Sequence, residues 1–83
     1  MYEVIFSPLA EKELYKLDSG LQERIIAVLE RCRILPHRHA KSLVGSPLYS
    51  IRCGDYRILV EIIEGMLQIL VIEIGHRKNI YKK

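Results

Sequence analysis

The amino-acid sequence predicts a two-layer α+β domain in which an N-terminal strand and a helical hairpin precede a three-stranded antiparallel meander. Three observations support this fold class. Apolar residues recur with a helical period up to about residue 35, and with a period of two from residue 48 onward. The chain has 83 residues, of which 49% are hydrophobic and 28% charged, and this is the composition of a globular protein. We therefore expect one domain over residues 1–83.

The first third of the chain begins with a short strand followed by a helix. In the predicted strand Met1–Phe6, alternate residues are apolar. Ser7 and Pro8 then indicate a helix start, because serine is a good N-cap and proline at the first helical position loses no needed hydrogen-bond donor. The apolar stripe of this helix is formed by Ala10, Leu14 and Leu17.

A second helix follows after a short break at residues 18–20. Ser19 and Gln22 have the spacing of a capping box, so we expect Ser19 to cap this helix. Pro36 should end it. Because the break is short, the two helices should form an antiparallel hairpin. The apolar face of the second helix is predicted to contain Leu21, Ile25, Val28, Leu29, Cys32 and Leu35.

The second half of the chain reads as a sheet. After a polar and basic connection over residues 36–47, the runs Leu48–Cys53, Tyr56–Ile62 and Leu67–Ile74 are rich in strand-forming residues. Gly54-Asp55 and Glu64-Gly65 lie where tight turns are needed. These three strands should form an antiparallel meander with the helices on one face. The first strand can join the meander at either edge.

Alternation along the strands predicts two arginines on the face that the helices leave open. Tyr49 and Tyr56 share the parity of the apolar residues and should belong to the core. Arg52 and Arg57 then lie together on the opposite face. In the alternative interpretation they are ordinary solvated residues that pair with Glu61 or Glu73.

Charge is distributed unevenly along the chain, although the net charge is only +3. Residues 1–30 contain three Lys or Arg against six Asp or Glu, whereas residues 31–83 contain ten against four. A segregated basic half favours a polyanionic partner such as nucleic acid. Chance asymmetry in a small protein is the alternative.

The sequence offers little for metal, membrane or redox chemistry. Cys32 and Cys53 have no metal-ligand spacing and are expected to be free, buried thiols, in keeping with a reducing cytoplasm. No apolar run is long enough for a signal peptide or a membrane span. No glycine-rich phosphate loop is present. We therefore expect a cytoplasmic protein with no metal, no organic cofactor and no membrane partner.

The C-terminal segment contains the residues best suited to phosphodiester chemistry. Gly75 should redirect the chain at the sheet edge, next to His76 and Arg77. Guanidinium groups bind phosphate and stabilise the charge that develops on phosphorus, and Tyr81 could stack on a base. His76 has the ordinary pKa nearest neutrality, although it could simply end a strand. RNA-binding lysines are predicted at Lys41, Lys78, Lys82 and Lys83.

Two further histidines, His37 and His39, lie in the basic connection. We expect these histidines to be exposed to solvent rather than catalytic.

The run LYSIRCGDYRI over Leu48–Ile58 and the ending IGHRKNIY over Ile74–Tyr81 resemble the RelE/ParE superfamily of toxins from type II toxin–antitoxin pairs. The order of elements and the length are also similar, so the resemblance covers nearly the whole chain. It implies an RelE-like fold. In the RelE-type branch it also implies an mRNA interferase, an endoribonuclease that cleaves mRNA in the ribosomal A site by metal-independent attack of a 2′-hydroxyl on phosphorus.

The resemblance also implies roles and partners. Arg52 and Arg57 correspond to phosphate-binding, charge-stabilising residues. Arg77 resembles the family's arginine that is assigned either to stabilising charge or to protonating the leaving group. Tyr81 resembles the C-terminal aromatic residue that positions the substrate. The implied partners are a cognate antitoxin, the ribosome with its mRNA, and operator DNA reached through the antitoxin.

Ser50 departs from the RelE pattern, because well-studied members have a lysine there that is a candidate general base. Serine cannot replace a lysine in this role. The base could then be His76, which we rank first, or Tyr81, or a group of the substrate or ribosome. Two alternatives to a ribonuclease stay open: a ParE-type toxin that inhibits DNA gyrase, and a degenerate toxin that mainly binds its antitoxin.

Overall fold

One five-stranded sheet organises the computed structural model, which describes residues 1–80 and side chains as far as Lys78. The strand order is β1-β5-β4-β3-β2. In chain order the elements are β1 (Glu3–Phe6), α1 (Pro8–Tyr15), α2 (Ser19–Cys32), α3 (Pro36–His39), β2 (Lys41–Ser42), β3 (Tyr49–Cys53), β4 (Tyr56–Ile63), a 3-10 turn (Glu64–Met66), β5 (Gln68–His76) and α4 (Arg77–Ile80).

The predicted α+β class and the antiparallel meander are confirmed. Strands β3, β4 and β5 pair consecutively and antiparallel. The N-terminal strand β1 joins the edge of β5 and runs parallel to it, which answers the question that the sequence left open. The short strand β2 was not predicted, and it pairs with only the first two residues of β3.

Helix α1 begins as predicted, whereas the start of α2 differs. The Ser7 side chain accepts a hydrogen bond from the Ala10 N–H at 3.0 Å, and Pro8 is the first helical residue. The N-cap of α2 is Asp18, whose carboxylate accepts from the Leu21 N–H at 2.9 Å. The prediction that Ser19 caps this helix was therefore wrong, because the aspartate one residue earlier is an equally good N-cap.

The connection over residues 36–47 is more ordered than predicted. Helix α2 ends at Cys32, so Leu35 does not extend its apolar face and is exposed. Pro36 does not end α2 but begins α3, where its missing N–H costs nothing. The connection then forms β2 before it turns into β3.

The core lies between the helices and one face of the sheet. Helix α1 lies over β5 and α2 over β3. Both cysteines are buried and free, as expected, and burial raises the pKa of the Cys32 thiol above its ordinary value of 9.0. The buried apolar residues are Ala10, Leu14, Ile25, Leu29, Cys32, Ile51, Cys53, Ile58, Val60, Ile69, Val71 and Ile74.

A bulge in β5 sets the direction of its last residues. Leu59 pairs with Glu73 but Val60 pairs with Val71, which leaves Ile72 as the extra residue. Because β1 ends at Phe6, this part of β5 lacks a strand partner on one side. Side chains of the α1 region supply the missing hydrogen bonds. The Ser7 hydroxyl donates to the Ile72 carbonyl at 2.8 Å, and Glu13 accepts from the Ile74 N–H at 2.8 Å.

Strand β5 continues through Gly75 to His76, two residues beyond its predicted end. The expectation that Gly75 redirects the chain at the sheet edge was wrong. Gly75 is paired with Arg57 inside the sheet, and the change of direction comes at Arg77, where α4 begins. Within the part of the chain that the structure describes, no helix combines the length and the apolar character that crossing a membrane would require.

Candidate functional site

Two arginines lie side by side on the sheet face that the helices leave open. Arg52 of β3 is paired with Arg57 of β4, so their side chains project from the same face. Their strand neighbours Ile51, Cys53 and Ile58 are buried on the opposite face. Arg52 is exposed and Arg57 half-buried. The structure thus brings the two arginines together directly across a strand pair.

The third member of this row is Gly75, which lies opposite Arg57 on β5. The bulge at Ile72 creates this alignment, because the extra residue shifts the alternation of β5. Before the bulge Ile69 and Val71 face the core, and after it Ile74 does. Gly75 adds no side chain to the row. The row Arg52–Arg57–Gly75 therefore places two guanidinium groups beside a position that has no side chain.

A depression of about 450 Å³ adjoins the arginine pair on the β2 side. Its basic residues are Arg52, Arg57 and Lys41, so the structure brings this predicted RNA-binding lysine next to the arginines. The loop after β2 supplies an apolar wall, and Val44 at its tip is fully exposed. Sequence reasoning missed this wall because it treated the connection as polar. The lining consists of Lys41, Ser42, Leu43, Val44, Ser50, Arg52 and Arg57.

Ser50 lies on the same face, in the next cross-strand row, opposite Leu59 of β4. Its side chain is buried, although it lines the depression. Glu73 follows in that row on β5, diagonally beside Arg57. A short hydroxyl at this position cannot reach as far over the face as a lysine would.

His76 is not brought together with the arginine pair. It is paired with Tyr56, which packs against the core on the helix side of the sheet, so His76 projects from that side too. The two rings meet edge to face with centroids 5.5 Å apart. His76 Nδ1 accepts a hydrogen bond from the Lys78 N–H at 3.2 Å. His76 lies on the helix side because the extra residue Ile72 shifts the alternation of β5, and alternation in the sequence does not predict where a bulge falls.

The predicted residues that follow β5 divide into two groups. Arg77 and Lys78 are exposed at the start of α4, and the Arg77 N–H donates to the Asp55 carbonyl at 2.9 Å. This bond fixes the start of α4 against the β3–β4 turn. Predicted residues Tyr81, Lys82 and Lys83 lie outside the described residues.

The two histidines of α3 lie elsewhere. His37 Nε2 is 3.2 Å from a carboxylate oxygen of Glu64, and its ring packs edge to face on Tyr49. His39 is exposed. Among residues 1–80, no group of three or more His, Cys, Asp or Glu side chains is arranged to hold a metal ion.

Among the described residues, three cations and no carboxylate line the depression beside the arginine pair. Such a surface can bind an oxyanion and stabilise charge that develops on it. The family model of the ParE toxin of type II toxin–antitoxin systems matches residues 4–81.

The chain belongs to the ParE toxin family, within the RelE/ParE superfamily.

Solved structures of this superfamily have the same fold. The toxin in the intact Escherichia coli RelBE toxin–antitoxin complex is 27% identical, with a TM-score of 0.81, over 92% of this chain and 96% of that one. The RelBE2 complex from Mycobacterium tuberculosis gives 27% identity and a TM-score of 0.80, over 92% of this chain and 98% of that one.

Other comparisons add less. A YoeB/ParE toxin from Agrobacterium tumefaciens is 14% identical over 92% of this chain and 98% of that one, and its TM-score of 0.76 reflects the shared fold alone. A comparison with curated protein sequences gives no match.

Proposed function

We propose that this toxin is a ribosome-dependent endoribonuclease that cleaves mRNA in the A site without a metal ion. The observation that carries the proposal is the row Arg52–Arg57–Gly75 on the open face, next to a depression that contains Lys41 and no carboxylate. The similarity to RelE toxins supports it.

In the proposed reaction, the 2′-oxygen of one nucleotide attacks the adjacent phosphorus, and the bond from phosphorus to the 5′-oxygen of the next nucleotide breaks. The products are a 2′,3′-cyclic phosphate and a 5′-hydroxyl. Negative charge accumulates on the non-bridging oxygens on the way. Arg52 and Arg57 stabilise this charge, because guanidinium groups donate two parallel hydrogen bonds and stay protonated. Arg77 assists the leaving oxygen, and Lys41, Lys78, Lys82 and Lys83 contribute to RNA binding.

The proton of the 2′-hydroxyl is not assigned to His76. A side chain on the helix side of the sheet cannot contact a phosphate held by Arg52 and Arg57 on the open side without passing through the sheet. Two candidate bases remain to accept this proton, namely Tyr81 and a group of the substrate or ribosome. Charge stabilisation alone accounts for a large part of such catalysis, because the removal of one preorganised donor costs about a hundred- to a thousandfold in rate.

The test is cleavage on programmed ribosomes. Purified toxin, freed of antitoxin, is added to ribosomes with a defined A-site codon, and primer extension maps the mRNA ends. We expect cuts within the A-site codon with 5′-hydroxyl ends, and their loss with Arg77→Ala. Cleavage by Arg77→Ala at the wild-type rate would overturn the role of Arg77, and intact mRNA at high toxin concentration would overturn the nuclease function.

One observation favours a second function. Ser50 occupies the position of the candidate lysine base and is buried, so the open face has one reactive group fewer than RelE-type toxins have. Inhibition of DNA gyrase by binding, or antitoxin binding by a degenerate toxin, needs no such group. If the purified chain inhibits gyrase supercoiling and leaves mRNA on ribosomes intact, the result favours a gyrase inhibitor. If it neither inhibits gyrase nor cleaves mRNA, the result favours a degenerate toxin.

We also propose a cognate antitoxin as partner, in a complex that reaches operator DNA through the antitoxin. The similarity to toxins solved as toxin–antitoxin complexes supports this. An acidic or amphipathic antitoxin segment would suit the basic open face. Co-purification from the native operon tests the proposal, and a toxin that purifies alone from that operon would contradict it. We place the complex in the cytoplasm, where ribosomes and operator DNA are found.

A further inference from the structure

Three arginines crowd around the β3–β4 turn. Arg52 Nε donates to the Gly54 carbonyl at 3.4 Å. From α2, Arg24 approaches the same glycine so closely that a Cβ there would lie 3.2 Å from its Nη2. Arg57 lies directly across the strands from Arg52. Arg52 and Arg57 are like charges directly opposed in a sheet, an arrangement that is destabilising. Positive charge is therefore concentrated on the open-face and α2 sides of this turn, whereas Asp18 and Asp55 line a separate depression beside Arg24.

Two depressions on opposite sides of the β3 edge share Arg52. The first is the open-face depression with Lys41 and Arg57. The second, of about 370 Å³, lies between α2 and the β3–β4 turn, and its walls contain Arg24 and Arg31. As far as the chain is described, neither lining includes an acidic residue. The basic surface is therefore continuous from the open face, over the sheet edge at Arg52, to helix α2.

The sheet edge at this point is uncovered. Strand β2 pairs with only Tyr49 and Ser50, so within the described chain no strand covers β3 beyond Ser50. A linear polymer that occupies the open-face depression can therefore continue past Arg52 without meeting another strand.

The two α2 arginines are suitably placed to bind such a polymer. Arg24 and Arg31 are seven residues apart, which is two helical turns, so they lie on one side of α2 about 10 Å apart. Within the described residues, neither arginine forms an ion pair. The nearby Glu30 is paired instead with Arg33 at 2.8 Å. The charge balance of the two halves of the chain does not reveal Arg24 and Arg31 as a pair, because Arg24 lies in the acidic half.

We propose that Arg24, Arg31 and Arg52 form a second anion-binding surface that holds the phosphodiester backbone of an RNA strand where it continues past the open-face site. The inference rests on the proposed function, since it concerns the same RNA. Guanidinium groups suit phosphates because of their bidentate geometry. An acidic protein segment fits less well, because protein interfaces depend on buried aromatic or aliphatic anchors. The α2 side of the surface offers only Ala27, Val28 and Cys53 as apolar contacts.

Binding of a short fluorescent 2′-O-methyl oligoribonucleotide tests the proposal, because this probe lacks the 2′-hydroxyl nucleophile and cannot be cleaved. Anisotropy titrations over a series of KCl concentrations give the salt slope of the association constant. The test variant is Arg24→Gln/Arg31→Gln. The matched control is Lys12→Gln/Lys16→Gln, which removes two exposed charges from α1. Circular dichroism melts verify that both variants fold.

We expect weaker binding by the test variant, with a salt slope smaller by about 1.4, since each phosphate contact to a single strand contributes about 0.7. The control should keep the wild-type slope. Equal losses in both variants would overturn the proposal, as would displacement of the probe by polyglutamate more effectively than by unlabelled RNA. Because the probe is not cleaved, failure of the nuclease function leaves this result interpretable. Conversely, if the wild type cleaves mRNA on ribosomes and the Arg24→Gln/Arg31→Gln variant keeps the wild-type salt slope, this inference is overturned while the proposed nuclease function stands.

Discussion

Replacement of Glu13 should destabilise the last part of β5, which contains Gly75 and leads into Arg77 at the start of α4. The carboxylate accepts a hydrogen bond from the buried Ile74 N–H at 2.8 Å, at a point where β1 no longer covers β5. A hydrogen bond to a charged group contributes about 1.5–3 kcal/mol. Glu13→Ala should therefore lower the free energy of unfolding by about 2 kcal/mol. For a domain of this size that corresponds to a fall in Tm of about 10 °C.

Urea denaturation followed by circular dichroism measures this difference. Glu13→Gln keeps an oxygen acceptor without charge, so it should lose only about 1 kcal/mol. Glu23→Ala removes the same charge from an exposed position on α2 and serves as the control. If Glu13→Ala and Glu23→Ala unfold within about 0.5 kcal/mol of each other, which is the range of ordinary surface substitutions, the hydrogen bond does not hold β5 as described.

Three further predictions concern the α2 cap, the buried thiol and the arginine row. Asp18→Ala should lower the free energy of unfolding by about 1 kcal/mol in thermal melts, whereas Ser19→Ala should have a much smaller effect. Burial raises the pKa of the Cys32 thiol, so the stability that this buried thiol contributes is fully present below pH 9.0 and is lost as the pH rises above that value. Denaturation midpoints should therefore fall above pH 9.0, and they should fall less for Cys32→Ala. Equal falls in the two proteins would contradict this. Gly75→Val should slow A-site cleavage, because it adds a branched side chain directly across from Arg57 on the open face; unchanged cleavage would show that cleavage does not require a position without a side chain there.

Periodicity in the sequence was enough to predict the class of the fold and the position of the arginine pair. The change of period near residue 48 separates helices from strands, and strict alternation in β3 and β4 places Arg52 and Arg57 on one face. Both strands are free of irregularities up to Leu59, so the parity argument holds there. Alternation does not predict the bulge of β5 opposite Leu59 and Val60, since a bulge depends on contacts distant in sequence, such as the hydrogen bonds from Ser7 and Glu13.

Other features depend on contacts that are distant in sequence. The approach of Arg24 to the β3–β4 turn depends on how α2 packs over β3, and Gly54, with a φ of +60°, leaves the space for it. The loop at Val44 becomes a wall of the depression only because β2 pairs with β3. Patterns within one element do not contain this information, so Arg24, Arg31 and the loop were missed as parts of the site.

We propose that phosphate chemistry takes place on the open face at Arg52 and Arg57. The most direct test is the single-turnover rate of A-site cleavage on programmed ribosomes for the wild type and Arg57→Gln, with Lys16→Gln as the charge-matched control. We expect a loss of about a hundred- to a thousandfold for Arg57→Gln and the wild-type rate for Lys16→Gln. A rate for Arg57→Gln within a few-fold of the wild type would contradict it.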